Sequence, residues 1–289
     1  MKNGERLREL LSRDTLIMAP GAYDAWSAKL IVKAGFPAVY MTGYGVSASV
    51  LGVPDIGLIC FKEMLDAARN ITNSSKTVTI CDADTGFGAR LNVMRTVEAY
   101  ENAGVAAIQL EDQVMPKRCG HMEGKQLISQ EEMVAKLKIA IDTRKDPSLC
   151  IIARTDANAV DGFEAAMKRA QAYEKAGADI IFVEALTNVE QMKEACARID
   201  RPMLANMVEN GKTPMLDAKK LCEIGYKLAI YPTCTLFAAT KALQNLLTQL
   251  RQDQTLVTCL PSMVDFAEFN ALMGLDEIRE YERSFGQEC

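Results

Sequence analysis

The sequence predicts an α/β protein of the (β/α)8 TIM-barrel class, and three observations carry that expectation. A helix-to-strand joint recurs along the chain. Short apolar runs alternate with helical segments to give about eight strands, and no dinucleotide-binding glycine pattern or Pro/Ser-rich linker interrupts the alternation. The joint reads Ala34-Gly35-Phe36-Pro37-Ala38-Val39-Tyr40, then Ala103-Gly104-Val105-Ala106-Ala107-Ile108-Gln109, then Ala176-Gly177-Ala178-Asp179-Ile180-Ile181-Phe182, with a looser copy at Ile224-Gly225-Tyr226-Lys227-Leu228-Ala229-Ile230. Each glycine closes a helical pattern, where a left-handed residue is favoured.

Taken in order, strands are expected to begin near residues 16, 38, 77, 106, 149, 179, 202 and 228. The runs 16–18, 78–81, 149–153 and 202–205 are apolar on both faces, as parallel central strands are. The clearest helical periods cover 131–143 and 167–175. Two polar, glycine-containing loops span 52–57 and 115–127. A helical tail from about 256 to 289, with a helix expected over 262–283, is surplus to a minimal barrel and suits packing on the barrel or on a neighbouring subunit. The whole chain, 1–289, reads as one domain.

Composition narrows the function classes. With 49% hydrophobic and 25% charged residues the chain is folded and globular. A net charge of -5 gives no electrostatic case for nucleic acid or an anionic membrane surface. No apolar run is long enough to span a bilayer, and residues 1–14 are too charged for a signal peptide. The 9 cysteines form no CxxC pair and fit a reducing cytoplasm, as mostly buried apolar residues. A single histidine, His121, excludes multi-histidine metal sites.

In barrels of this class chemistry sits at the C-terminal ends of the strands. The polar residues there are Tyr40-Met41-Thr42-Gly43-Tyr44-Gly45, Asp82-Ala83-Asp84-Thr85-Gly86-Phe87-Gly88, Glu111-Asp112-Gln113, Arg154-Thr155-Asp156, Glu184 and Asn206. Asp82 and Asp84 alternate at a strand end and so share a direction. With Glu111 they form an oxygen-rich cluster suited to Mg2+ or Mn2+. Asp112 and Asp156 read equally well as helix caps. Arg154 can grip a carboxylate by a two-pronged contact, or pair with one of the acids. Lys117-Arg118-Cys119-Gly120-His121 puts two cations, a thiol and the only histidine in five residues. Neighbouring cations are expected to lower the thiol's pKa, and Gly120 and Gly124 to let the loop close over a substrate.

At these residues the chain resembles the phosphoenolpyruvate mutase/isocitrate lyase superfamily, over about residues 5–250. Asp82–Gly88, Glu111-Asp112-Gln113, Lys117–His121, Ala153-Arg154-Thr155-Asp156-Ala157, Val183-Glu184-Ala185 and Ala205-Asn206-Met207 occur in order. The resemblance implies a barrel whose last helix is swapped between paired subunits, a Mg2+ site and a homotetramer built as a dimer of dimers. The Lys-Arg-Cys-Gly-His loop is similar to that of the carbon–carbon lyases, whereas phosphonate mutases carry asparagine in place of the cysteine. Residue by residue, the resemblance makes Asp82 and Asp84 the metal carboxylates, with Glu111 in support. Thr42, Gly43, Tyr44 and Arg154 would bind the 2-hydroxy-acid end, Cys119 and Gly120 the other carboxylate, and Glu184 and Asn206 would line the pocket. Tyr40 or Glu111 would act as base and Cys119 as acid, while Lys117 and His121 would stabilise the enediolate.

One departure bears on the substrate. Phe237 stands where methylisocitrate lyases present an arginine for a third carboxylate, residues 259–273 hold no arginine, and residue 208 is valine. The expectation is therefore a small, more apolar dicarboxylate, with 2,3-dimethylmalate fitting best. The competing readings are 2-methylisocitrate cleavage, oxaloacetate hydrolysis, a phosphonate P–C bond enzyme, which the Cys119 loop argues against, and a barrel that binds a carboxylate without turning it over.

Overall fold

A computed structural model describes residues 1–286. Eight parallel strands close a barrel in chain order: β1 Ile17–Ala22, β2 Ala38–Met41, β3 Val78–Asp82, β4 Ala107–Glu111, β5 Cys150–Thr155, β6 Ile180–Val183, β7 Met203–Asn206 and β8 Tyr226–Tyr231. The (β/α)8 expectation holds. The chief local difference is β1, which runs on through Pro20 and Gly21, a pair that reads as a turn. Gly21 is required there because a Cβ would lie 2.2 Å from the Pro232 carbonyl oxygen.

The repeated joint has one geometry. Gly35, Gly104, Gly177 and Gly225 all have positive φ, at 87°, 79°, 102° and 115°. At the first three the next residue's N–H returns to a carbonyl of the last helical turn: Phe36 to Ile31 (3.4 Å), Val105 to Tyr100 (3.5 Å) and Ala178 to Tyr173 (3.2 Å). This is the hydrogen-bond pattern that ends a helix on a left-handed residue. The helices expected over 131–143 and 167–175 are observed as Gln130–Thr143 and Phe163–Lys175.

Inward-pointing side chains fill the barrel in period two: Ile17 and Ala19, Ala38 and Tyr40, Val78 and Ile80, Cys150 and Ile152, Ile180 and Phe182, Leu204, Leu228 and Ile230, with Leu7 joining the same cluster. Continuing that period toward the C-terminal rim gives Thr42, Asp82, Arg154, Glu184 and Asn206. On β4 it gives Gln109 and Glu111. The apolar alternation that builds the core therefore aims the polar residues into the mouth.

Internal contacts divide the chain into two units, Met1–Thr235 and Leu236 onward. In the second unit the helix expected over 262–283 is two helices, Phe266–Met273 and Leu275–Ser284, broken at Gly274 with φ 85°. Asp265 caps the first by accepting the Glu268 N–H at 2.7 Å. Among the described residues no helix is long and apolar enough to cross a membrane, and the described cysteines are free.

Candidate active site

The acidic cluster forms at the ends of β3 and β4. Asp82 ends β3, and its Oδ1 accepts the Asp84 N–H at 3.0 Å. Asp84 is not a strand residue: it is carried in by a turn with φ 47°, which a short polar side chain tolerates. It is fully buried and pairs with Lys117 at 2.8 Å. The same ammonium lies 2.8 Å from Asp55, a residue that no sequence pattern marks. Asp55 comes from the 52–57 loop, where irregular backbone gives no period to mark an inward side chain. Burial raises the Asp84 carboxyl to about 6 and holds Glu111 well above the usual carboxylate range.

These carboxylates fit a divalent cation. Apart from the ion pairs with Lys117 and Arg154, neither oxygen of Asp84 or of Glu111 has a hydrogen-bond partner. Buried, unsatisfied carboxylate oxygens are costly, and an oxygen-seeking ion would satisfy them. Among the described residues no three Asp, Glu, Cys or His side chains already converge as an ion cage.

Arg154 organises the neighbouring sector. Its guanidinium forms a two-pronged pair with Asp156 (2.9 and 3.1 Å), lies 3.4 Å from Glu111 and 3.5 Å from Glu184, and sits over the Phe182 ring at 5.2 Å. Asp156 and Asp112 are therefore not side-chain caps. Asp112 accepts the Asp156 N–H (3.0 Å), the Tyr173 hydroxyl (2.7 Å) and Arg169 (3.2 Å), which fixes the turn that presents Asp156. Glu184 accepts the Ala185 N–H at 2.7 Å and the Asn206 amide at 2.9 Å.

The 117–121 loop lies over this mouth. The Cys119 N–H donates to the Asp55 carbonyl at 3.2 Å. Gly120 is needed for space rather than as a hinge: a Cβ there would lie 2.5 Å from Arg154 Nη2 and 2.7 Å from Glu184 Cγ. Gly124 does have positive φ, 75°. His121 Nδ1 accepts the Lys212 N–H at 3.1 Å, so the neutral ring carries its proton on Nε2, which faces Asn206 at 3.5 Å and Glu184 at 3.8 Å. Burial lowers the His121 pKa and favours that neutral form.

Two expectations change. Burial pushes the Cys119 thiol up, not down; the His121 N–H and the Arg154 charge oppose this without reversing it. The cysteine is therefore protonated at neutral pH, as a proton donor must be and a nucleophile is not. Tyr40 lies in the core, one inward position below Thr42, and burial beside Asp82 holds its phenol well above its ordinary value. It keeps its proton. Burial raises Glu111 as well, against the pull of Arg154 and Lys117, so a cation at the acidic cluster would be what frees that carboxylate to act as a base. At the end of β2, Thr42 caps the short helix Gly43–Val46 by accepting the Gly45 N–H at 3.3 Å. Gly43 lies against Asp82, where a Cβ would come 2.7 Å from Oδ2, and burial raises the Tyr44 phenol.

Residues 7–251 match the family model for phosphoenolpyruvate phosphomutase. The chain belongs to the phosphoenolpyruvate mutase/isocitrate lyase superfamily. Among its curated relatives, 2,3-dimethylmalate lyase of Eubacterium barkeri is 52% identical over 285 residues, covering 99% of each chain. The 2-methylisocitrate lyase of Aeropyrum pernix is 45% identical over 277 residues, covering 96% of this chain and 88% of the relative. A solved oxaloacetate acetylhydrolase in complex with the inhibitor 3,3-difluorooxalacetate superposes with a TM-score of 0.95 at 35% identity, covering 100% of this chain and 98% of the other. Within the superfamily the chain falls on the lyase branch.

Proposed function

We propose that the protein is a carbon–carbon lyase that cleaves 2,3-dimethylmalate to pyruvate and propionate. The observation that carries this reading is the seating of the protonated Cys119 loop on the Arg154 sector, with Gly120 against the guanidinium. The full-length likeness to a dimethylmalate lyase supports it. Phe237 and Val208, where a tricarboxylate enzyme would offer polar partners, support a dicarboxylate.

In this reading Arg154, with Thr42, Gly43 and Tyr44, orients the 2-hydroxy-acid end. Asp82 and Asp84, with Glu111 in support, would hold a divalent cation, Mg2+ being the first choice, and that cation would supply Lewis acidity toward the substrate's oxygens. Glu111 takes the hydroxyl proton. The C2–C3 bond breaks, its electron pair goes to C3, and C2 becomes the ketone of pyruvate. The propionate enediolate left behind is strongly basic, and the Nε2–H of His121 and nearby backbone N–H groups offset its charge. Lys117, engaged by Asp55 and Asp84, acts one step back by holding the acidic cluster together. Cys119 then gives its proton to C3, and the closed loop keeps water from doing so first.

A panel of 2-hydroxy-dicarboxylates assayed for keto-acid release, with and without chelator, tests the reading. Pyruvate with propionate from 2,3-dimethylmalate is expected, with activity lost to EDTA and restored by Mg2+. Preferential release of succinate from 2-methylisocitrate, or of acetate from oxaloacetate, would replace it. Gly120→Ala is expected to lower kcat by about tenfold or more, because a misplacement of about 1 Å is felt at the reacting atoms. Its melting temperature should fall less than that of Arg154→Ala, since the buried charges shift but none is removed. A homotetramer in the reducing cytoplasm completes the proposal, and light scattering checks the assembly.

A further inference from the structure

We propose that Lys125 is a positioning residue that latches the 119–121 loop onto the Arg154 sector. The inference rests on the reading of Arg154 as the substrate-carboxylate ligand. Lys125 lies outside the Lys-Arg-Cys-Gly-His string, yet its side chain is 2% exposed. Its ammonium donates to the Gly120 carbonyl and lies 3.2 Å from Asp156 Oδ1. Asp156 is also the carboxylate that holds Arg154 by both prongs. One anion therefore orients the carboxylate-binding fork and anchors the cation that holds the loop down.

The rest of the loop shows why a latch is needed at this point. Its base is fastened independently. The Gln113 side chain donates to the Arg118 carbonyl (2.9 Å) and accepts the Arg118 N–H (3.0 Å), and the Val114 N–H donates to the Gln126 carbonyl at 2.8 Å. Gln113 and Leu127 form an antiparallel bridge. Beyond Arg118, the backbone is held to the barrel by the Cys119 N–H on Asp55, by the His121 ring and by Lys125. The Arg118 guanidinium also donates to a loop carbonyl, that of Glu123 at 2.9 Å, but in an exposed position; Lys125 makes the buried charge-assisted contact, the stronger kind of hydrogen bond. If the carbonyl lifted away, the buried ammonium would keep Asp156 but lose a hydrogen-bond acceptor that water cannot readily replace, which is costly.

Hydrogen exchange of the metal-loaded enzyme tests the latch without requiring turnover. Two amides report on the loop: Cys119, whose N–H is on Asp55, and Lys212, whose N–H is held by His121 from 91 residues away in sequence. In Lys125→Met both should exchange at least about tenfold faster, while peptides from β4 and β5 keep their protection. kcat should fall by more than KM changes. Lys125→Arg, which keeps the charge, should restore slow exchange and most of kcat. Wild-type exchange at both amides in Lys125→Met overturns the proposal, as does equal acceleration across β4 and β5. If the wild-type enzyme released no keto acid from any diacid, the lyase reading would fail while the exchange result would still judge the latch.

Discussion

Replacing Cys119 with serine is expected to lower kcat by about 10²–10⁴-fold, the usual contribution of a positioned general acid, with little change in KM. In the proposed mechanism the thiol's proton is used only after the carbon–carbon bond has broken, and serine keeps a polar side chain of similar size beside the substrate. The pH profile gives the sharper check. A general acid must carry its proton, and burial raises the Cys119 thiol above its ordinary value. The cysteine's contribution is therefore flat through neutrality and is lost only at alkaline pH, as the thiol ionises. In Cys119→Ser the hydroxyl stays protonated over the whole range, and that alkaline limb should vanish from kcat. Full turnover in the serine variant, or an alkaline limb unchanged by the substitution, would remove Cys119 from its role.

Arg154 should show the largest effect on stability and binding together. Its guanidinium faces Glu111, Asp156 and Glu184, all of them buried. Removing one partner of a buried ion pair costs about 3–5 kcal/mol, because the other charge is left uncompensated. Arg154→Ala should therefore melt roughly 10 °C or more below the parent, at ~2–4 °C per kcal/mol for a chain of this size. Arg154→Lys keeps the charge and should recover most of that stability. It cannot reproduce the planar fork, so its KM should remain raised by about tenfold or more. Calorimetry beside keto-acid kinetics separates the two losses. A lysine variant with parental KM would mean that Arg154 holds the acids together and nothing else.

Much of this site was legible in the sequence because the barrel ties function to position. Once the strands are placed, period two identifies the inward residues, and the last inward residue of a strand faces the mouth. Asp82, Glu111, Arg154, Glu184 and Asn206 all follow from that rule. What failed to read has physical causes. Asp55 and Lys125 lie in irregular loops, where no periodicity tells which side chain turns inward. The Cys119 shift runs opposite to the expectation because sequence shows which cations are near in the chain but not how deeply the thiol is buried. Lys117, counted there as a nearby cation, spends its ammonium on Asp55 and Asp84. The end of β1 was missed because Pro20-Gly21 is an ordinary turn signal, overridden here by pairing with β8, in which Pro20 is aligned with Tyr231. Gly274, likewise, reads as one small residue within a helical pattern but ends one helix and begins the next.

The glycine-ended joints at Gly35, Gly104, Gly177 and Gly225 all feed the starts of strands, at the rim opposite Arg154 and Asp82. Durability and chemistry are thereby assigned to different poles of the cylinder. A lineage can rewrite its upper loops and acquire a new diacid while the lower turns keep the chain folding as before. Changes at those lower turns should be felt as heat sensitivity with the range of substrates preserved, so the two poles are free to evolve on separate schedules.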